Sequence, residues 1–193
     1  MNRINEPHLE ILLRSRYGEP WRHYHDWDHV RRVLQEFSQV RHLVGQPAQQ
    51  VIVWAIKFHD AVYEPTAQNN EERSTQLAYA FLGPFLPSNK VQEVCRLIKL
   101  TKHHNPKPDD INGCIICDLD LAVMGWTWSE FNRFGQLIRS EYRHVPEADF
   151  RRARREFMAA FLQRPHIFNL PYFHDKYEQQ AQENLRRTVA LLS

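Results

Sequence analysis

From Val51 to Val62 the chain is apolar on almost every side of a helix, with Lys57 the only charged residue before His59 and Asp60. A helix of that kind must be wrapped by other elements. The surrounding segments supply the wrapping. Apolar residues recur at helical spacing in nearly all of them, and the alternation that marks a strand is scarce. The expectation is an all-α bundle of about eight or nine helices.

Start and stop signals place these helices. The first is predicted from Pro7 to about Tyr17, closed by Gly18-Glu19-Pro20. Asp26 or Asp28 can cap the second, whose stripe is Val30, Val33, Leu34, Phe37 and Val40, ending by Gly45. Pro47 sits at the start of the third, which carries His59 and Asp60 near its end. Asn69 or Asn70 opens a helix that runs through Phe81 to Gly83, and Ser88 opens another reaching the Thr101–His104 segment. After the loop Asn105-Pro106-Lys107-Pro108, Asn112 opens a strongly apolar helix from Cys114 to Met124, stopped by Gly125. Three more follow: Ser129 to about Tyr142, Pro146 to about Leu162, and Tyr172 to Leu192. No Gly-, Ser- or Pro-rich linker interrupts them. A single domain over 1–193 is expected, with its core at about 20–125 and helices 127–193 packed on it.

Composition removes several classes. With 25 basic and 23 acidic residues, the charge of +2 is too even for a binder of nucleic-acid polymer. Arg151-Arg152-Ala153-Arg154-Arg155 reads as the solvated face of a helix. Three cysteines make no disulfide framework, and Cys114 and Cys117 lack the second pair of a zinc site. They read as core. No apolar run approaches the ~20 residues of a membrane span, and no leader segment is recognisable, so the expected location is the cytoplasm, with no membrane partner. A homodimer is compatible with such a chain.

Eleven histidines are more telling, because of where they fall. His59 and Asp60 close the most apolar helix, where an imidazole and a carboxylate are costly to bury unsatisfied. A divalent metal satisfies both at once; a hydrogen-bonded pair at a helix end does so too. Upstream, His25 and His29 are four apart. Downstream, Asp118 and Asp120 interrupt Ile115-Ile116-Cys117 and Leu121-Ala122-Val123, and buried Asp rarely goes without a partner. That partner is a cation or one of the many arginines. Phe173-His174-Asp175 repeats the Phe-His-Asp tripeptide, but at a helix start after Pro171. There Asp175 suits the first-turn electrostatics and no metal is expected.

The ordered set His29, His59-Asp60 and Asp118-Leu119-Asp120 resembles the HD superfamily of metal-dependent phosphohydrolases, and more closely a bacterial group described as predicted metal-dependent HD phosphohydrolases. Further matching stretches are Arg22–His25, Phe58–Tyr63, Asn70–Ser74, Asp118–Gly125, Ile138–Tyr142 and Glu183–Leu185. The likeness therefore spans most of the chain.

That resemblance implies an HD-type helical domain in which His29, His59, Asp60 and Asp120 bind metal, with Asp118 as the alternative fourth ligand. It implies one divalent ion (Mn, Fe, Co, Ni, Zn or Mg), since only the adjacent His103 and His104 could furnish a second site. Activity is then hydrolysis of a small phosphorylated metabolite, a nucleotide in many members. Asp60 and Glu71 are the catalytic candidates, with Glu64 behind Glu71 as general acid. Arg22, His25, Lys102 and His104 are the candidates for phosphate, with His104 facing the cleft. Two competing expectations keep the fold: an iron-dependent oxygenase of HD type, and a non-catalytic regulatory protein that binds metal or ligand. The aromatics Trp126, Trp128, Phe131, Phe134 and Tyr142 read as core packing, not as a base-stacking pocket.

Overall fold

The apolar third helix is indeed the wrapped one. In the computed structural model, which describes residues 6–193, α3 (Gln46–Phe58) buries Val51, Ile52, Trp54, Ala55, Ile56 and Phe58. The first five residues of the expected domain lie outside the described residues. The remaining helices are α1 (Glu6–Tyr17), α2 (Trp27–Val40), α4 (Asn70–Leu82), α5 (Ser88–Leu100), α6 (Ile111–Leu121), α7 (Trp128–Glu141), α8 (Glu147–Leu162) and α9 (Pro171–Leu191). Short 3-10 segments follow α2 and α6, and no strand occurs among the described residues. The fold is all-α, with nine α-helices there. None of them is long and apolar enough to cross a membrane.

The chain divides into two compact units, one ending at Leu119 and one beginning at Asp120. The division falls inside α6 and not after it. In the first unit α3 packs against α2, α4 and α5. The facing stripes are Val30, Val33, Phe37 and Val40 on α2 and Val91, Val94, Leu97 and Ile98 on α5. Asp26 caps α2 by accepting from the His29 N–H at 2.9 Å. That fixes the first turn of α2, which carries His29.

Side chains that compete for the backbone set several helix ends, not all of them where expected, while α4 starts at Asn69–Asn70 as expected. The third helix ends at Phe58, four residues before Val62. Beyond it, Arg22 donates to the Asp60 and Ala61 carbonyls and the Ser74 hydroxyl takes up both polar groups of Val62, so the main chain turns away. Asn70 does not cap α4. Its amide instead accepts from Glu64 N–H and donates to Glu64 O, at 3.0 Å each, while Asn69 holds the cap position. The apolar helix α6 opens at Ile111, where the Asp110 carboxylate accepts from Gly113 N–H at 3.0 Å. Asn112, the expected opener, donates to Glu93. Ser88 is the first residue of α5 and makes no cap; Pro87 precedes it.

In the second unit, Thr127 and Glu130 form a reciprocal capping box that opens α7 a residue ahead of Ser129. The 3-10 segment Ala122–Gly125 lies along α9. Asn184 of α9 donates to both Met124 O and Trp126 O at 2.8 Å. Gly125 is there for contact: a Cβ on it would stand 2.4 Å from Tyr177 Cβ and 2.7 Å from Tyr177 O. The buried Glu178 carboxylate receives the Ile167 and Phe168 N–H groups and thereby holds the loop before α9. Trp126 meets Phe134 and Trp128 meets Phe131 edge-on or tilted, with both phenylalanines buried.

Candidate metal centre

His59 and Asp60 sit on the turn just past α3, not within it. Every residue from Asp60 to Glu64 has a main-chain group held by a side chain from elsewhere in the first unit. Arg22 takes Asp60 O at 2.7 Å and Ala61 O at 3.3 Å. Ser74 Oγ accepts from Val62 N–H at 3.0 Å and donates to Val62 O at 3.2 Å. Trp21 donates to Tyr63 O at 2.9 Å, and Asn70 holds Glu64.

On this turn the His59 ring has its tautomer assigned by one contact. Nδ1 lies 2.8 Å from Ile56 O. A carbonyl only accepts, so Nδ1 carries the hydrogen and a neutral ring presents the Nε2 lone pair. That Nε2 is 3.1 Å from His29 Nε2 and 3.0 Å from Asp60 Oδ2, which itself is 3.9 Å from His29 Nε2. Both imidazoles are buried, and the Asp60 side chain is 16% exposed.

Asp120 completes a group. One ligand atom each from His29, His59 and Asp120 lie within 4.8 Å of one another. Two imidazole nitrogens held about 2.1 Å from one ion, at tetrahedral to octahedral angles, stand ~3.0–3.4 Å apart. The 3.1 Å between the two Nε2 atoms meets that spacing. The donor set, imidazole nitrogen with carboxylate oxygen, fits a divalent transition ion.

Asp118 takes no part in the group. Two residues along a helix turn it by about 200° from Asp120. It faces the side of α6 that carries Cys114, four residues earlier and fully buried like itself. Burial first, and then the Asp118 charge, push the Cys114 thiol up to about 11. Cys114 and Cys117, neither in a disulfide, approach Lys107 O and Leu100 O, as core residues do.

The other expected site residues are placed as follows. Arg22, expected to meet phosphate, has no exposed side-chain surface. Its guanidinium donates to Glu19 and to the carbonyls of His25, Asp60 and Ala61, between the rings of Tyr17 and Tyr63. It is a brace of the turn. His25 precedes α2, stacked on Tyr63 at 4.1 Å between centroids, with its ring 6.1 Å from that of His29. Lys102 donates to Gln68 O and to Glu72 at 2.7 Å and stands 3.7 Å from Glu71. That hydrogen bond holds the Glu72 carboxyl below its ordinary range and Lys102 above its own. Lys102 and Glu71, expected in separate roles, thus neighbour each other. Glu64 is half-buried and accepts from Thr66.

His104 ends the turn after α5 with φ 47°, left-handed backbone that is uncommon outside glycine. Its N–H closes onto Leu100 O at 2.8 Å. His103 is exposed. Neither belongs to the metal-competent group. His174 and Asp175 are exposed on α9. Arg152 of the basic run is likewise exposed and pairs with Asp149, while Arg151 donates to Leu191 O.

Sequence reading did not anticipate Ser74, Asn70 or Tyr63 as supports. Their signal was present: Asn70 and Ser74 are four apart, on one face of α4. Comparison of the chain with protein families, with curated proteins and with solved structures finds no match in any of the three.

Proposed function

We propose that His29, His59, Asp60 and Asp120 hold one divalent metal ion, and that the protein is a metal-dependent phosphohydrolase of HD type. Its substrate class is a small phosphorylated metabolite, with nucleotides first to be tried. The observation that carries this reading is the His59 ring, whose Nε2 lone pair points at Asp60 Oδ2 from 3.0 Å. Lone pairs so close repel unless a proton on Nε2 or a metal cation sits among them, and the second imidazole 3.1 Å away with Asp120 favours the metal. A metal ion is that cation, and Asp120 and His29 provide its further ligands. Two imidazoles favour Mn, Fe, Co, Ni or Zn over Mg. The likeness of the ligand order to the HD superfamily supports the same assignment.

A divalent ion bound there supplies an acidified water and offsets charge on the phosphoryl group. The chain does the rest. Asp60, the partly exposed ligand, accepts the proton of the attacking water. Glu71 is the candidate acid for the leaving oxygen: its helix is fastened beside the turn by Ser74 and Asn70. His25 offers a ring beside His29 for a phosphate oxygen, with His104 and Lys102 as weaker candidates. Arg22 acts through the turn it braces.

Metal analysis of the purified protein and a screen of phosphomonoesters test this. Expected are about one ion per chain and phosphate release that falls at least ~100-fold in Asp60→Ala. Tight metal binding with no phosphate released from any ester refutes the hydrolase and points to a binding protein. Two irons per chain point to oxygenase chemistry, and absence of bound metal refutes the centre.

A further inference from the structure

Away from the His59 turn, α2 and α3 leave a groove of about 340 Å³ between their outer faces. Its floor is apolar, with Leu34, Phe37, Val53 and Trp54, and no acidic residue lines it. A volume of that size is at the lower end for small-molecule sites.

Charge in the groove is one-sided. Trp54 is 4% exposed, and its indole N–H, fully buried, has no acceptor among the described residues. Buried indole N–H groups usually find one. Lys57 lies 5.0 Å over the Trp54 ring and makes no ion pair among the described residues. Arg41 spends Nε and one terminal nitrogen on the Gln49 carbonyl oxygen and has no carboxylate partner among the described residues. Gln49, the amide beside it, is used up: its NH2 group donates to Arg41 O and Val44 O. Ser38 donates to Gln35 O, and the Gln50 carbonyl oxygen accepts from Lys90. Two positive charges thus remain unmatched in a lining whose remaining acceptors are neutral, the Gln46 amide among them.

We propose that this groove binds a small organic anion, with a flat apolar body on Trp54 and Phe37 and a carboxylate or phosphate-type group that draws on Arg41 and Lys57. Negative charge favours what enters, because the lining holds two cations and no carboxylate. A neutral ring satisfies the floor but leaves both cations as they are. The site shares no residue with the metal centre and stands whether or not the hydrolase reading holds.

The Trp54 indole resonance of the full-length, nitrogen-labelled protein is the readout, identified through its loss in Trp54→Phe or by sequential assignment where that variant does not fold. The probes are phenylphosphonate, benzoate and, as the neutral ring, benzyl alcohol. At least one anion is expected to shift the resonance saturably with a dissociation constant of about 1 mM or below, and Arg41→Gln/Lys57→Gln to weaken it ~10-fold or more. Response to phenylphosphonate alone assigns a phosphate-type ligand, to benzoate alone a carboxylate. No saturable shift with either anion, an equal response to benzyl alcohol, or full affinity in the double variant overturns the proposal.

Discussion

Arg22→Met separates a brace from a substrate ligand. Methionine keeps much of the stem and removes the guanidinium. In the protein that group is fully enclosed and makes four hydrogen bonds, to Glu19 at 2.9 Å, His25 O at 2.9 Å, Asp60 O at 2.7 Å and Ala61 O at 3.3 Å. Without it, three carbonyls and one carboxylate lose a charged donor. Breaking a buried pair by removing one partner costs about 3–5 kcal/mol, a large share of a total stability of about 5–15 kcal/mol. For a chain of this length each kcal/mol lowers Tm by about 2–4 °C, so the expected drop is about 6–20 °C. Thermal unfolding followed by circular dichroism measures it. Because Asp60 is on the braced turn, metal affinity is expected to fall as well. A variant that melts within about 2 °C of the wild type would refute the brace. Normal melting with a raised KM for a phosphoester would return Arg22 to the substrate.

Three further outcomes can be checked. Asp120→Asn is expected to weaken metal binding by roughly 100-fold and Asp118→Asn much less, since only Asp120 joins His29 and His59; isothermal titration with Mn or Zn decides, and equal losses would sink the assignment. Gly125→Ala forces a Cβ into the α9 backbone at Tyr177 and is expected to cost about 1–3 kcal/mol in urea unfolding. The Cys114 thiol, ordinarily near 9.0, is raised to about 11 in the fold. Between those values the unfolded chain has lost a proton that the folded one keeps, so stability is intact below pH 9 and falls as pH rises toward 11, by at most ~2–3 kcal/mol. Cys114→Ala should flatten that decline in urea unfolding measured at several pH values.

Much of the helical plan was readable because apolar periodicity is a property of each segment alone. The α2 and α5 stripes and the Asp26 cap follow from neighbouring letters. The end of α3 does not. Val62 continues the apolar pattern, and what stops the helix is Arg22 and Ser74, tens and a dozen residues away. Asp110 and Thr127 were missed as caps because nearby Asn112 and Ser129 carry equally good capping groups. Of the site, the spacing of His29, His59 and the two aspartates was visible, and periodicity alone sets Asp118 and Asp120 on opposed sides of α6. Arg22 and Lys102 look the same in sequence as any anion-binding cation. Only packing reveals that one is enclosed by carbonyls and the other joined to Glu72.

The grip on residues 60–64 is largely on their main-chain atoms: Arg22, Ser74, Trp21 and Asn70 all bind carbonyls or N–H groups there, while the Tyr63 ring also meets Arg22 and His25. Loop shape and side-chain identity are therefore separable. Val62 and Glu64, neither of them buried, can be exchanged while the four external clasps keep the path of the chain. For anyone wishing to recast this site, that makes the turn a frame on which chemistry can be rewritten at Val62 and Glu64, and places its vulnerability in the residues that clasp it from outside.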